Sequence, residues 1–298
     1  MKSASPRASF SSLLAGASGL AGRLPRLMVQ ARRAASLLAG GEHGRRAPGT
    51  GEKFWQFRDY APGDAPRDID WRASARGDDV LVREKEWQTH HAFLFWCQGD
   101  RGMDYRSRRT LPSKRERAAL IALALAMAAQ NRHDLIGGLG PAVAAGRGDA
   151  VLSALGETFL VQRQAALPDA DATGVNRNAH IFMIGDFLTP PAETERVLAV
   201  LAERTRHGFL VQCLDPAEHA LSFSGHTLFV APGEDRRFRI SDVAAIRDDY
   251  RRRIGEHIDA VRALCHARGW HYRLHLTDED PHALLRALWP VLQENARS

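Results

Sequence analysis

The chain has 298 residues, 44% of them hydrophobic and 26% charged, which is the composition of a globular protein and enough length for one large or two modest domains. Its three cysteines, Cys97, Cys213 and Cys265, are odd in number and lack C-x-x-C spacing, which excludes a disulfide framework and suits a reducing compartment. The formal charge of +6 is unevenly placed: residues 1–48 carry eight basic side chains against Glu42 alone, a local +7, so the other 250 residues sit near −1 and no uniformly basic nucleic-acid surface is implied.

Lys2 and Arg7 precede ASFSSLLAGASGLAG, a faint imitation of a signal peptide whose apolar region is diluted by Ser and Gly. No run of about 18 apolar residues occurs, so no membrane-spanning helix is expected and the cytoplasm is the expected location. Leu20, Leu24, Leu27, Met28, Ala31, Ala35 and Leu38 recur at helical spacing, with Arg23, Arg26, Arg32 and Arg33 largely elsewhere on the wheel. This predicts an amphipathic helix ending near Gly40-Gly41, lying on the body of the protein or on a membrane surface. HGRRAPGTGEK follows as a Gly- and Arg-rich linker. Residues 57–87 then set six basic and eight acidic side chains around Phe57, Tyr60, Trp71 and Trp87.

After residue 90 the pattern becomes alternating strands and helices. HAFLFWC is a short apolar run suited to a strand buried on both faces. SKRERAALIALALAMAAQNRH opens on a capping box, Ser113 with Glu116, and its apolar residues cover most of the wheel, predicting a deeply buried helix. DLIGGL is a second strand and VLSALGETFLV a second helix. AHIFMIGDF is a third strand, followed by a helix from Thr189-Pro190 that stops at Gly208. FLVQCLD is a fourth strand. HALSFSGHTLFVAPGEDRRFRIS reads as antiparallel strand material, Ser241 to Arg268 as a long amphipathic helix, and WHYRLHLT with a helix from Asp280-Pro281 closes the chain. Such alternation predicts a parallel α/β sheet with helices on both faces. The expected organisation is a basic helical arm over 1–48, a charged and aromatic segment over 49–90, and an α/β domain over 91–298.

In an open parallel sheet ligands bind beyond the carboxyl ends of the strands. Two strands end in carboxylates there: HAFLFWC runs into Asp100 and Asp104, and IFMIG into Asp186. Together these three could hold a hard cation such as Mg²⁺, weakly; the plainer reading is that they cap helices and turns. Other chemistry is not signalled. There is no H-E-x-x-H, no Cys/His metal spacing, no G-x-S-x-G elbow and no Walker-type loop, and Cys97 fits a buried structural thiol. The chain is not expected to be an enzyme. A Mg²⁺-dependent hydrolase at Asp100 and Asp186 would need a base and a nucleophile that cannot be named.

GTGEKFWQFRDYAPGDAPRDIDWRASARGDDVLVREKEW resembles the signature of the bacterial domain of unknown function 58 family. The resemblance is carried by Gly49, Gly51 and Phe54; Arg58, Tyr60, Gly63 and Asp64; Ile69, Asp70, Trp71, Ser74, Ala75 and Arg76; and Val82, Arg83 and Glu84. PSKRERAALIALALA, IFMIGDF and LDPAE look like later landmarks of the same family, so the resemblance runs from about residue 20 onward. It implies a von Willebrand factor A-like fold, a Rossmann-like three-layer sandwich with a mainly parallel sheet, preceded by the helical arm and the signature segment. It also implies a role as an adaptor or co-chaperone beside a MoxR-type AAA+ ATPase. Related domains carry a metal-ion-dependent adhesion site of the form Asp-x-Ser-x-Ser after the first strand. Here that run is Gln98-Gly99-Asp100-Arg101-Gly102, and only Asp186 keeps its type, so the resemblance implies a degenerate site. Within the signature, Asp59, Asp64, Asp68 and Asp70 are expected to face Arg58, Arg67, Arg72 and Arg76, with Trp71 and Phe57 as apolar anchors. That network either clamps the segment in place or forms a partner-facing surface. The expected function is a protein-binding adaptor; the alternative is nucleic-acid association through the basic arm, which predicts steep salt dependence.

Overall fold

The computed structural model describes residues 7–39, 54–60, 69–76, 80–85, 91–161, 167–169, 171, 175, 179–205, 207–230 and 237–295. Two compact units partition the chain: Met1–Gly41 together with His91–Ser298, and Glu42–His90.

In the smaller unit, β1 (Phe54–Asp59) pairs antiparallel with β2 (Leu81–Lys85), with Phe57 opposite Arg83, Arg58 opposite Val82, and a register shift between Phe54 and Gln56. Between them lies the single turn of α2 (Trp71–Ser74). The Asp70 side chain caps it, Oδ1 accepting from the backbone N–H of Arg72 at 3.1 Å and of Ala73 at 3.0 Å. Ser74 Oγ donates to Asp70 O at 2.8 Å and accepts from Leu81 N–H at 2.8 Å, which ties the turn to the start of β2.

The larger unit begins with α1 (Arg7–Ala39) and continues with β3 (Ala92–Cys97), α3 (Lys114–Asn131), β4 (Leu135–Gly138), α4 (Asp149–Val161), β5 (Ala179–Gly185), α5 (Pro191–Arg204) and β6 (His207–Leu214). A short helix α6 (Pro216–Ala220) leads to an antiparallel ribbon, β7 (Thr227–Val230) with β8 (Arg237–Ile240), then α7 (Val243–Ala267), β9 (His271–Leu276) and α8 (Pro281–Asn295). Five strands form one parallel sheet in the order β4-β3-β5-β6-β9. The fold is thus α/β, with a mainly parallel sheet between helices, as the alternating pattern predicts.

Strand alternation sends Phe93, Phe95, Phe182 and Phe209 to one face and Leu94, Trp96, Ile181 and Leu210 to the other. The first face packs against α3, α4 and α8, and the second against α5 and α7. α1 lies over α3 and contributes Leu27, Ala31, Ala34, Ala35 and Leu38 to the first core. This explains why α3 is apolar around its wheel: one side meets the sheet and the other lies beneath α1. α4 shares a face with α3 because an antiparallel bridge, Ile136 with Gly146, reverses the chain at the sheet edge. Leu167 and Val175 then pack on the opposite face before β5.

Two local expectations change. Gly208 is not the stop of α5, which ends at Arg204; it lies inside β6, where an added Cβ would fall 1.9 Å from the Trp270 ring. α6 is an additional element, built on a capping box between Asp215 and Glu218 with Pro216 at its first position.

Candidate functional site

The order β4-β3-β5-β6-β9 reverses direction between β3 and β5, and such a switch point opens a crevice beyond the carboxyl ends of its two strands. Gln98 follows β3 there and Asp186 follows β5, and both are buried. Gln98 Oε1 accepts from the backbone N–H of Asp186 at 3.0 Å and of Phe187 at 3.2 Å. Its Nε2 donates to Asp186 Oδ1 at 2.8 Å and to Asp100 Oδ2. The amide therefore uses both ends, its oxygen on backbone donors and its nitrogen between two carboxylates. A carboxylate in that position would satisfy the first pair and repel the second.

The crevice holds a cation of the chain's own. Lys114, at the first turn of α3, is 1% exposed and places Nζ 2.7 Å from Asp186 Oδ2 and 2.7 Å from Glu218 Oε1. Burial on its own disfavours the ammonium, but the charges and hydrogen bonds of Asp186 and Glu218 outweigh it and hold the pKa above the usual lysine value. Burial pushes the Glu218 carboxyl up, against the pull of Lys114. Tyr105, whose ring centroid is 6.0 Å from Nζ, is pushed up to about 12 by burial and by Asp215 and Glu218. Around this core Gln212 Nε2 donates to Asp186 O at 2.8 Å, and Tyr272 donates its hydroxyl to Gln212 Oε1 at 2.7 Å. Phe187 takes a left-handed φ of 47°, unusual for a bulky residue, and is held by its N–H on Gln98 and by His257 Nε2 at 2.7 Å from its carbonyl.

Of the three carboxylates singled out from the sequence, Asp100 and Asp186 come together through Gln98, and Asp104 does not join them. Asp104 pairs with Arg115 Nε at 2.6 Å, while Arg115 Nη2 donates to Gly99 O and Asp100 O, each at 2.9 Å. Asp100 Oδ1 also accepts from Gly102 N–H at 2.6 Å, capping the 3₁₀ turn Arg101–Asp104. Among the described residues no group of three or more His, Cys, Asp or Glu side chains converges as a metal site. Lys114 and Glu218 belong to this cluster and were not singled out as site residues, and Gln98 was named only as an amide standing where the resemblance expects a carboxylate. The available signal was a helix whose first turn is basic, in a segment otherwise apolar all round, facing strand-end carboxylates. Burial raises the Cys97 thiol well above its ordinary pKa, with a further push from Cys213, so it is not poised as a thiolate.

In the signature unit Asp70 and Ser74 have structural duties, capping α2 and tying it to β2. Asp70 thus directs Oδ1 to backbone N–H groups. Trp71 is 67% exposed. Tyr60 is 40% exposed, and Arg76 is exposed. Arg58, Arg83 and Glu84 lie in the paired strands β1 and β2. Gly63 and Asp64 lie outside the described residues, as do Arg67 and Asp68 of the expected charge network.

A family model described as "Protein of unknown function DUF58" matches residues 56–260, more than half of the chain. The chain belongs to the DUF58 family. No curated protein matches it. Among solved structures, the PilB minor pilin from Streptococcus sanguinis aligns at 10% identity with a TM-score of 0.33, over 74% of this chain and 65% of the pilin, less than two thirds of its length. So shallow a likeness bears on neither fold nor function. The matched range takes in most of the signature unit and the switch-point residues from Gln98 to Glu218. Among the described residues, no helix is long and apolar enough to cross a membrane.

Proposed function

We propose that this DUF58 protein is a non-catalytic, protein-binding adaptor or co-chaperone with a von Willebrand factor A-like domain, acting beside a MoxR-type AAA+ ATPase in the assembly or activation of other proteins. The observation that supports this reading is Lys114. Its ammonium stands between Asp186 and Glu218 at the sheet's switch point, where a ligand or cation would otherwise be gripped. A rim whose Asp186 and Glu218 both pair with its own lysine, with Gln98 joining Asp100 to Asp186, has its geometry fixed by the chain's own side chains. Its groups are mutually satisfied and none is left as an activated nucleophile or base. The exposed Trp71 and Tyr60 of the signature unit are side chains of the kind that anchor protein interfaces.

The test is affinity purification of the full chain from its native cell, with and without ATP, and identification of the retained proteins. Retention of an AAA+ ATPase that changes with ATP is expected, and it should weaken in Trp71→Ala. Absence of any ATPase from both samples would retire the adaptor reading. Retained nucleic acid that is lost at high salt would instead favour the basic N-terminal residues as the working surface.

A further inference from the structure

Arg23, Arg26, Leu27, Arg33, Ala34 and Leu37 recur at three- and four-residue spacing along α1 and line one side of a groove of about 930 Å³. Arg106, Leu111, Arg117 and Leu120 lie on the other side. From Gly22 to Leu37 the wall runs about 22 Å at 1.5 Å per helical residue, which makes it a trench and not an enclosed cavity. Among the described residues five arginines share it with one lining carboxylate, Glu116, whose Oε1 is 3.9 Å from Arg23 Nη1. Arg26 and Arg33 are exposed, and Leu37 is 59% exposed on the rim. At the base Arg117 is buried, donates Nη2 to Thr277 O at 2.7 Å, and has no hydrogen-bond partner for Nε among the described residues.

Arginines crowded into one trench repel one another, and an anionic occupant relieves that repulsion. The leucine floor asks for apolar anchors between those anions. Among the described residues no Phe, Tyr or Trp ring lines the trench as a platform for stacking bases, His282 being its one aromatic ring, and a concave groove does not fit a flat bilayer. Its length and openness suit a peptide segment better than a small molecule. We infer that this groove docks an acidic amphipathic segment of a partner protein, with leucine-like side chains on the floor and Glu or Asp side chains against the arginines. The inference rests on the adaptor reading and names the surface and the partner chemistry that such an adaptor would use.

The probe is a fluorescein-labelled peptide of about 15 residues, the helical length of the groove, with Leu at every third or fourth position and Glu between. Controls are its Lys counterpart, a DNA duplex, and phosphatidylglycerol vesicles. Fluorescence anisotropy with the full chain is expected to show binding of the Glu peptide and none of the Lys peptide. Arg26→Glu/Arg33→Glu should weaken that binding by ~10-fold or more, since charge complementarity is reversed at the rim; Leu37→Ser should weaken it less. If the double variant unfolds, Arg26→Gln/Arg33→Gln replaces it under the same threshold. No binding of the Glu peptide, equal binding by wild type and variant, or preference for the duplex or the vesicles overturns the inference. ATPase retention is measured separately. A retained ATPase with no peptide binding leaves the adaptor reading standing without this groove, and peptide binding with no retained ATPase does the reverse.

Discussion

A lysine that is 1% exposed is tolerated in a protein interior only when its charge is paired and its donors are taken. Lys114 meets that demand with Asp186, 72 residues away in sequence, and Glu218, 104 residues away. Separations of that size explain why the sequence showed the strand-end aspartates but not their partners. A carboxylate after an apolar strand is a local pattern, whereas its countercharge is set by which helix start the sheet brings over it. Removing the ammonium would leave the buried Asp186 and the partly buried Glu218 without their shared countercharge, a loss of up to about 3–5 kcal/mol, the cost of breaking a fully buried pair. The vacated space would offer oxygen ligands from Asp186 and Glu218, with Asp100 adjacent through the Gln98 amide. Lys114→Ala is therefore expected to unfold at a lower temperature in EDTA and to recover part of the loss in Mg²⁺ or Mn²⁺, while wild type shifts with neither. Thermal unfolding followed by circular dichroism checks this. A variant indifferent to both ions would mean that the lysine does not stand in for a metal.

At the scale of elements, parallel pairing in register stacks like residues into rungs across the sheet. Phe93, His180 and His207 form one such rung, with ring centroids 4.8 Å apart at each step. His180 is fully buried with no hydrogen-bond partner on either ring nitrogen among the described residues, and burial, then the charges of His207, His91 and Arg132, lowers its pKa to about 3. His275 is lowered to about 4 by burial and by Arg117. Both groups bind protons more readily in the unfolded chain, near pH 6.5, than in the folded one. Their contribution to stability is thus complete above about pH 6.5 and is lost as pH falls toward 3 or 4, by up to about 1.4 kcal/mol per pH unit for each group. Urea midpoints are expected to fall between about pH 7 and about pH 4.5, and to fall less steeply in His180→Phe, which keeps the rung aromatic and removes one titration. Parallel slopes for the two proteins would assign the acid sensitivity elsewhere. The strands of this sheet were readable as short apolar runs. The rungs were not, because register depends on pairing between strands nearly 90 residues apart. The place of Gly208 was hidden for the same reason: a helix-stop glycine and a glycine that makes room for Trp270 look alike in sequence, and only the packing of β6 against β9 tells them apart.

At the scale of the whole molecule, charge and burial point to different divisions of the chain. The basic excess of residues 1–48 suggests a separate arm, yet the compact units group Met1–Gly41 with His91–Ser298. The inner face of α1 accounts for this, since Leu27 and Leu38 are buried in the core that α3 shares with the sheet. Among the described residues every member of both core clusters lies in that larger unit, and in sequence Glu42–His90 falls between its first helix and its first strand. Two constructions separate the roles. Replacing residues 42–90 by a Gly/Ser linker is expected to leave one cooperative urea transition with a midpoint close to that of the full chain. Starting the chain at residue 42 instead removes the burial of Leu27 and Leu38, about 3–6 kcal/mol at 1.5–3 for each side chain, and bares the alanine-rich outer face of α3. That second protein is expected to unfold at lower urea or to aggregate. Near-UV circular dichroism distinguishes a native core from a loosened one in both. A linker protein that lost its near-UV signal would make the signature unit part of the fold's own stability. One that kept it would mark Trp71 and its neighbours as a module carried by the body, and ATPase retention by that same protein then tests whether the module is what the partner recognises.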